Sequence, residues 1–324
     1  EMKAIVVSQY GDPEVLSYQD ADIGKPGKGQ VLVRLAYAGV NFVEIYQRRG
    51  TYPRTLPYIP GSEASGIIEA VGEGVEDFKV GDHVAYVHQP GAYAEASIIN
   101  AKSLIPLPSS FSLEQGAAFP LQGMTAHYLL HEFRKPKQGD VVLIHAAAGG
   151  MGLLLVQWAR HLGARVIGTV STEEKAKAAR QAGATDVILY NEKDFAVETK
   201  RLTDGHGADL IIDGVGKTTF KGNLEAAALR GHIVIYGAAS GPAEPIPPNA
   251  LMVRSLTVSG GSLPNYLLTR DEMLQRAHSV IKGIQEGWLK LTIDKVIPLD
   301  QAAEAHRLLE NRQTIGKIVL KIKA

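Results

Sequence analysis

The segment Val141–Gly152 constrains the fold of this chain more than any other part of the sequence. It reads as an apolar run, VVLIH, then a turn rich in glycine, then the start of a helical pattern. Apolar runs of this length are typical of strands buried on both faces of a parallel sheet. Strands are expected at Val141–His145, Arg165–Val170, Asp186–Tyr190, Leu210–Asp213, His232–Tyr236 and Leu256–Ser259, with helices between them at Gly152–Leu162, Glu173–Gln181, Phe195–Leu202 and Thr219–Leu229. This alternation predicts an α/β fold with a doubly wound, six-stranded parallel sheet.

The flanking parts of the chain have a different pattern, with short β-rich segments separated by glycine and proline. Expected strands are Met2–Val7, Val31–Ala38, Ala64–Val71, His83–Val87 and Ala92–Ile99, with a short helix at Asn41–Arg49 and an irregular loop at Tyr52–Pro60. After Gly261, helices are expected from Thr269, where TRDE has the form of a capping box, and at Leu299–Glu310, followed by a strand at Lys317–Lys323. We therefore expect one domain from residues 1–121 and 264–324, with the parallel-sheet domain, residues 122–263, inserted into it.

The glycine turn has the spacing A-x-x-G-x-x-G, from Ala146 to Gly152. Glycines allow the backbone to approach a pyrophosphate, and the following helix presents its amides and the positive end of its dipole. The motif is shorter than the full G-x-G-x-x-G, so a tight turn without a ligand is the alternative interpretation. Because the motif lies among six expected strands that alternate with helices, we favour a dinucleotide site.

The end of the second strand distinguishes the two nicotinamide cofactors. An NAD enzyme would place an acidic residue there to bind the ribose hydroxyls, whereas this chain has Ser171, followed by Lys175. A hydroxyl and an ammonium group suit a 2′-phosphate, so we expect NADPH. Two observations weigh against this: Ser171-x-x-Glu174 is also a possible capping box with Lys175 as a solvated helix residue, and Glu173 and Glu174 would repel a phosphate.

Composition excludes several classes of function. The chain has no cysteine, which rules out disulfides, thiolate chemistry and zinc sites built on cysteine. Lys plus Arg equals Asp plus Glu, at 34 each, so no excess positive charge favours nucleic acid or an anionic membrane as the main partner. The sequence has neither an apolar run near the ~18 residues of a membrane span nor a secretory signal pattern. We therefore expect a cytoplasmic location.

Five motifs, including the glycine turn, carry a resemblance to a known family. They are GDPEVL (11–16), GVNF (39–42), GSEA (61–64), VGDHV (80–84) and the turn AAAGGMG (146–152). In this order they resemble the quinone oxidoreductases of the zeta-crystallin kind, zinc-free members of the medium-chain dehydrogenase/reductase superfamily. The resemblance covers the whole chain and implies a β-rich, GroES-like catalytic domain beside a Rossmann domain.

The positions of the zinc ligands differ from those of the zinc alcohol dehydrogenases in the same superfamily. Those enzymes carry a Cys after the strand that ends near Gly39 and a His before the position of Glu63, whereas this chain has Asn41 and its neighbours without a Cys, and Ser62. One carboxylate does not hold zinc. We therefore expect no metal, and a structural role for Glu63, paired with a buried base.

The resemblance implies NADPH-dependent reduction of quinones in a cleft between the two domains. The implied acceptor residues are Asn41, which could hydrogen-bond an acceptor oxygen, and Tyr46 and Tyr52, which could donate a proton or stack on a ring. Packing of the two tyrosines is an equal alternative. The implied cofactor-binding residues are Asn41, Thr125, Ala148, Gly149, Gly150, Met151, Ser171, Lys175, Tyr190, Val215, Gly237, Ser262 and Lys317, of which Thr125 would head a helix and Lys317 could instead be a solvated strand residue.

Two other functions remain open at this point. One is an NADPH-dependent enone or enal reductase, whose substrates, like quinones, are intrinsically good acceptors. The other is a non-catalytic, crystallin-like protein that binds NADPH or RNA. The even balance of positive and negative charge argues against RNA as its main partner. The resemblance also implies a homodimer, formed by edge-to-edge pairing of the last Rossmann strand, Leu256–Ser259.

Overall fold

The computed structural model of the chain describes residues 1–322. The expected end of the last strand at Lys323, like Ala324, lies outside the described residues. The chain divides into two compact units. The first comprises Glu1–Leu121, Thr269–Ala277 and the chain from Leu291 onward, and the second comprises Gln122–Leu268 and His278–Lys290. Residues 264–268 and 278–290, which we assigned to the first domain, thus group with the second unit. The division into a catalytic and a cofactor domain stays a prediction.

The N-terminal part of the chain is mostly β-structure. Its elements are β1 (Met2–Val6), β2 (Ser17–Ala21), β3 (Gln30–Gly39), α1 (Phe42–Arg49), β4 (Glu63–Val71), β5 (His83–Val87), β6 (Ala96–Asn100), β7 (Ile105–Pro106), α2 (Leu113–Ala118) and α3 (Pro120–His131). Two short 3-10 helices lie at Pro13–Val15 and Ala101–Ser103.

The middle part alternates strands with helices. Its elements are β8 (Val141–Ile144), α4 (Gly150–His161), β9 (Arg165–Val170), α5 (Glu173–Ala182), β10 (Asp186–Leu189), α6 (Phe195–Leu202), β11 (Ala208–Asp213), α7 (Phe220–Ala226), β12 (Ala227–Ile235) and β13 (Thr257–Gly260). Two 3-10 helices, Pro248–Leu251 and Leu263–Tyr266, flank β13.

The C-terminal part begins with a long helix. Its elements are α8 (Arg270–Glu286), β14 (Ile293–Pro298), a 3-10 helix at Leu299–Gln301, α9 (Ala302–Glu310) and β15 (Lys317–Lys321). The predicted capping box at the start of α8 is confirmed in its first half, because the Glu272 amide donates to Thr269 Oγ1 over 3.1 Å. Within residues 1–322, every helix is too short or too polar to cross a lipid bilayer.

The first unit is built on a seven-stranded sheet. Its strands run in the order β14-β15-β3-β4-β5-β7, and β6 also pairs with β3. In β3 the side chains of Val31, Val33 and Leu35 are buried, whereas Arg34 between them is partly exposed, as the alternation in the sequence predicted. The apolar side chains pack against neighbours such as Ile68 to form the core of this unit.

The second unit contains the predicted parallel sheet. Its six strands lie in the order β10-β9-β8-β11-β12-β13, and every neighbouring pair is parallel. The chain winds outward from β8 in one direction to β10 and from β11 in the other direction to β13. The switch point therefore lies between β8 and β11, at whose carboxyl ends ligands bind in folds of this type. The prediction of an α/β fold with a doubly wound sheet is confirmed.

The boundary between α7 and β12 differs from the expected one. We expected a helix to Leu229 and a strand from His232, but the helix ends at Ala226 and β12 begins at Ala227. Ala227 is extended and lies opposite Ala208 in β11, so pairing within the sheet overrides the helix preference of the alanines. Arg230, at a φ of 62°, marks the irregularity that follows.

Several strands of the first unit also differ from those predicted, because they depend on pairing within the sheet. β2, β7 and β14 were not predicted, since their sequences are short or polar. The strand expected at Ala92–Ile99 begins only at Ala96, because the Tyr93 amide donates to the Pro60 carbonyl and Ala94 forms only an isolated bridge with Ala4. Such pairings depend on distant segments and leave no local signal in the sequence.

Candidate functional site

Asn41 is the residue that starts α1. Its backbone is extended, its amide donates to Glu44 Oε1 over 2.9 Å, and its carbonyl accepts from the Glu44 amide over 3.2 Å. The helix ends at Gly50, which has a φ of 87° that favours glycine. Local capping thus fixes the end of α1 at which the Asn41 side chain lies.

Glu63 holds three hydrogen-bond donors at this end of α1. Its Oε1 accepts from Lys317 Nζ over 2.8 Å and from Asn41 Nδ2 over 3.0 Å, and its Oε2 accepts from the Leu121 amide over 2.7 Å. Lys317 Nζ also donates to Asn41 Oδ1 over 2.6 Å. The prediction that Glu63 pairs with a buried base is confirmed, and the alternative of Lys317 as a solvated residue is wrong, because Lys317 is only 3% exposed.

The fold brings these three side chains together from separate strands. Asn41 follows β3, Glu63 begins β4 and Lys317 begins β15, and both β4 and β15 pair with β3. Gly39, the last residue of β3, has no side chain, and a methyl group there would overlap Glu63 Oε1. A glycine at this position therefore allows the carboxylate to cross the strand end.

The hydrogen bonds fix the orientation of the Asn41 amide. An ammonium group can only donate, so the atom that faces Lys317 is the Asn41 oxygen, and the nitrogen faces Glu63. The amide nitrogen carries two hydrogens and gives one to Glu63. The other is available for an external oxygen atom. Asn41 is 6% exposed, so the group is nearly, but not fully, enclosed.

Tyr46 and Tyr52 lie beside each other in the first unit. Their ring centroids are 5.3 Å apart in an edge-to-face arrangement, and the Tyr52 amide donates to the Tyr46 carbonyl over 3.2 Å. Tyr52 is 52% exposed. The geometry is that of an aromatic pair with one open face, and the chemical role of either hydroxyl stays a prediction.

A second buried polar cluster connects α1 to α9 and was not predicted. His306 Nδ1 lies 2.8 Å from Arg48 Nη1 and His306 Nε2 lies 3.1 Å from the Tyr93 hydroxyl, which donates to Glu44 Oε1 over 3.3 Å. Arg48 also pairs with Glu310 over 2.5 Å. The sequence signal for this cluster was the presence of charged residues within predicted helices. Because such residues are usually solvated, the signal did not indicate a buried cluster.

Burial governs the protonation of this cluster. Glu44 is fully buried, and desolvation raises its pKa to about 8 despite the hydrogen bond from the Asn41 amide. Desolvation, and then the positive charge of Arg48, lower the pKa of His306 to about 3. The neutral forms of both side chains therefore dominate near pH 7.

In the second unit, the glycine turn forms a tight connection between β8 and α4. Ala146 has a φ of 51°, the Gly149 amide donates to the Ala146 carbonyl over 3.1 Å, and the Ala147 amide donates to the Thr169 carbonyl over 3.1 Å. A methyl group at Gly152 would overlap the Ala146 carbonyl oxygen. The last glycine of the motif, Gly152, is therefore required for close packing of the turn on the helix.

The residues of this turn fit the pyrophosphate of a dinucleotide. The helix α4 begins at Gly150 and is capped by Gly149, which contributes no side chain. Amides in the first turn of a helix have no carbonyl partner within it, and they carry the positive end of the dipole. Ala148 is buried, whereas Gly149, Gly150 and Met151 are partly exposed at the carboxyl edge of the sheet.

The residues expected around a 2′-phosphate lie at the ends of two neighbouring strands. Ser171 follows β9 and Tyr190 follows β10, and the Tyr190 amide donates to the Val170 carbonyl over 3.2 Å. The capping alternative for Ser171 is wrong, because Thr172 caps α5 and its hydroxyl accepts from the Lys175 amide over 3.2 Å. The Ser171 side chain is therefore not used as a helix cap. Contacts with a cofactor stay predictions for these residues.

The other predicted cofactor residues lie in loops of the second unit or within a helix. Val215 and Gly237 follow β11 and β12, and Ser262 lies two residues beyond β13. We expected Thr125 to head its helix, but it lies in the middle of α3 and is 8% exposed. The reason is that α3 begins at Pro120, since a proline suits the first position of a helix. Contacts of these residues with a cofactor stay predictions.

A polar chain beneath these loops was also missed. It includes His145 directly after β8 and Asp213 at the end of β11, both buried. A polar residue that ends an otherwise apolar strand was the available sequence signal. Within residues 1–322, no group of three or more His, Cys, Asp or Glu side chains is arranged to hold a metal ion.

Comparisons with known proteins agree with both units. Residues 27–109 match the alcohol dehydrogenase GroES-like domain and residues 150–280 match the zinc-binding dehydrogenase family. A 2-haloacrylate reductase from a Burkholderia species is 43% identical, over 98% of each chain. A quinone oxidoreductase from Pseudomonas aeruginosa is 41% identical, over 98% of this chain and 99% of that one. The crystal structure of Escherichia coli quinone oxidoreductase complexed with NADPH superposes with a TM-score of 0.94 at 37% identity, covering 99% of this chain and all of that one.

Proposed function

Because the chain belongs to the quinone oxidoreductase family of the medium-chain dehydrogenase/reductase superfamily, we propose that it reduces quinones with NADPH. The observation that carries this proposal is the carboxyl edge of the parallel sheet. There the glycine turn opens α4, and Ser171 rather than an acidic residue follows β9. NADPH is also the cofactor in the E. coli relative.

The polar groups of the second unit support a phosphorylated cofactor. The first-turn amides of α4 would hold the pyrophosphate, and the Ser171 hydroxyl and the Lys175 ammonium group would hold the 2′-phosphate. When bound, NADPH supplies the hydride. Tyr190, which is 46% exposed at the end of the neighbouring strand, offers an aromatic face close to Ser171.

The first unit supplies the groups proposed for the acceptor. The second hydrogen of Asn41 Nδ2 would bind an acceptor oxygen, and the open face of Tyr52 would stack on a ring. Ser62, and the absence of any cysteine in the sequence, support chemistry without zinc. Without a Lewis acid, the acceptor itself must be easily reduced, which quinones and conjugated alkenes are.

A second acceptor class is supported by the Burkholderia relative. That protein is named a 2-haloacrylate reductase, and a 2-haloacrylate is an alkene conjugated to a carboxylate. Its identity to this chain, 43%, is similar to that of the Pseudomonas quinone oxidoreductase, 41%. Conjugated alkenes, including enones, enals and haloacrylates, are therefore the alternative substrates.

The assembly proposed for this enzyme is a homodimer. β13 lies at one edge of the parallel sheet, and Met252 and Val253, in the segment leading into it, are 72% and 88% exposed. An open strand edge beside exposed apolar side chains is suited to pairing with a second copy. Pairing of two β13 strands about a two-fold axis would cover both.

Initial rates of nicotinamide oxidation would test the proposed function. NADPH and NADH should be compared across quinones, enals and 2-haloacrylates, with cofactor binding measured separately by fluorescence titration. Turnover of quinones with a preference for NADPH is the expected result. Turnover of the alkenes alone would establish the second substrate class. Tight binding of NADPH without turnover of any acceptor would instead indicate the non-catalytic alternative.

A further inference from the structure

A buried chain of hydrogen bonds crosses the switch point of the parallel sheet. His145, directly after β8, contacts Thr169 Oγ1 through Nδ1 over 2.8 Å and Asn223 Oδ1 through Nε2 over 2.7 Å. Asn223 Nδ2 then donates to Asp213 Oδ2 over 2.6 Å. The chain therefore runs from β9, past the end of β8, through α7 to the end of β11. Each of these four side chains is at least 98% buried, since the most exposed are His145 and Thr169 at 2%.

Asp213 anchors the loop that follows β11. Its Oδ1 accepts from the Val215 amide over 2.6 Å and the Gly216 amide over 3.2 Å, and its Oδ2 also accepts from the Thr219 hydroxyl over 2.6 Å. A buried carboxylate that accepts this many hydrogen bonds is strongly oriented. The direction of the loop at Val215 thus depends on where the Asp213 carboxylate is held.

The network specifies its own proton positions. The Asn223 side-chain nitrogen donates a hydrogen bond to Asp213, so the side-chain oxygen faces His145. This oxygen must accept a hydrogen bond from His145 Nε2. In neutral histidine the other ring nitrogen is then an acceptor, and the Thr169 hydroxyl donates to it. Burial lowers the pKa of His145, which favours this neutral form. Every hydrogen in the chain has one direction, so the side chains can hold one another in a single arrangement.

Both ends of the chain meet loops at the carboxyl edge of the sheet. At one end, the carbonyl of Thr169, which lies two residues before Ser171, accepts a hydrogen bond from the amide of Ala147 in the glycine turn. At the other end, Asp213 holds Val215. The side of His145 is filled by the ring of Phe195, whose centroid lies 4.6 Å away. The network therefore connects the two loops on either side of the switch point without exposing its own polar atoms.

We propose that His145 and Asn223 are positioning residues, which hold the glycine turn and the Val215 loop in register to receive the dinucleotide. This inference rests on the proposed NADPH-dependent function. The network acts on binding through the loops rather than by touching the cofactor. Disrupting it should therefore weaken cofactor affinity more than the loss of a comparable buried hydrogen bond elsewhere in the same unit.

Thr169→Val is the most direct test, because it keeps the shape of the side chain and removes only the hydroxyl that donates to His145. We expect the Kd for NADPH to rise about tenfold, in line with the loss of one buried hydrogen bond. The KM for NADPH should rise with it, and kcat at saturation should change little. Thr169→Ser retains the hydroxyl and should restore affinity. Asn223→Ser, which breaks the chain at its other end, should produce the same change as Thr169→Val.

The matched control is Thr203→Val in the same unit. Thr203 is also buried, and its hydroxyl donates to the Thr199 carbonyl over 2.7 Å and accepts from the Gly207 amide over 2.8 Å, away from the network. It should lower the melting temperature of the cofactor-free protein without changing the Kd. The inference is overturned if Thr169→Val and Asn223→Ser bind NADPH as tightly as the wild type, or if Thr203→Val weakens binding equally. Failure of the wild type to bind NADPH would overturn the proposed function and this inference together.

Discussion

Lys317 Nζ lies 2.8 Å from Glu63 Oε1, and the two side chains are 3% and 0% exposed. Their opposite charges satisfy each other, and Asn41 bonds to both. The ion pair thereby fixes the amide that we propose for acceptor binding. Where the zinc dehydrogenases have a histidine ligand beside a glutamate, this chain has Ser62 and uses the glutamate to hold a lysine instead.

Removal of Lys317 should destabilise the first unit strongly. Lys317→Met leaves Glu63 buried without its counter-charge, and breaking a buried pair in this way costs about 3–5 kcal/mol. Urea unfolding followed by fluorescence should show this loss. The matched control, Lys321→Met on the exposed end of the same strand, should change stability by less than about 0.5 kcal/mol.

The double variant Glu63→Leu/Lys317→Met separates charge from packing. If the cost of Lys317→Met arises from the unpaired carboxylate, removing that carboxylate as well should recover much of the stability. The double variant should still lose acceptor affinity, since Asn41 would no longer be oriented. Equal stability of the single and double variants would show that the charge is not the cause.

Glu44 should make the protein less stable as the pH rises. Its pKa is raised by burial from 4.5 to about 8, so the folded protein keeps a proton that the unfolded chain has released above pH 4.5. The stability that this group contributes is complete below pH 4.5 and is lost progressively up to about pH 8, an effect on the order of 5 kcal/mol. Glu44→Gln should therefore gain stability relative to the wild type as the pH rises.

The pH range of that measurement follows from His306. Its pKa is lowered from 6.5 to about 3, so its contribution is complete above pH 6.5 and is lost as the pH falls, the opposite sign. Urea midpoints of wild type and Glu44→Gln should be compared between pH 6.5 and 8, where His306 is already neutral in the folded protein. Its residual titration in the unfolded chain is common to both proteins and cancels in the difference. The exposed Glu73→Gln serves as the control. A constant difference between Glu44→Gln and wild type would refute the raised pKa.

Cofactor selectivity should depend on Lys175 and Ser171. Lys175→Ala removes the charge proposed to contact the 2′-phosphate, and we expect the KM for NADPH to rise about tenfold or more while the KM for NADH is unchanged. Ser171→Ala should add to this effect. Lys177→Ala, an exposed lysine two residues further along α5, is the matched control. An equal rise in KM for NADPH and NADH would show that Lys175 does not contact the 2′-phosphate of NADPH.

Assembly should depend on the open edge of the parallel sheet. The double variant Val253→Glu/Thr257→Glu places charges beside β13, where two copies would repel across a two-fold axis. Light scattering coupled to size-exclusion chromatography should then show a monomer for this variant and a dimer for the wild type. Val197→Glu, at a valine that is 61% exposed on α6, should remain dimeric. A wild-type monomer at micromolar concentration would contradict the proposed assembly.

The architecture of the second unit could be predicted from local sequence patterns. Apolar runs such as Val141–Ile144 must be buried on both faces, and their regular alternation with helices leaves few topologies other than a doubly wound sheet. The glycine turn could be identified for the same local reason, since close packing at Gly152 requires the absence of a side chain. The base that pairs with Glu63 was expected, but not its identity.

The contacts between buried polar residues, in contrast, depend on how distant segments pack in the folded protein. Lys317 joins Asn41 from 276 positions away, and His306 meets Arg48 from 258 positions away. Periodicity reports which face of an element is buried, but carries no information on which distant strand or helix will lie against it. Lys317 therefore appeared as a possible solvated residue, and His145, Asn223 and Asp213 did not appear as a group. Their partners were fixed by strand pairing, and burial then required every charge and donor to find one.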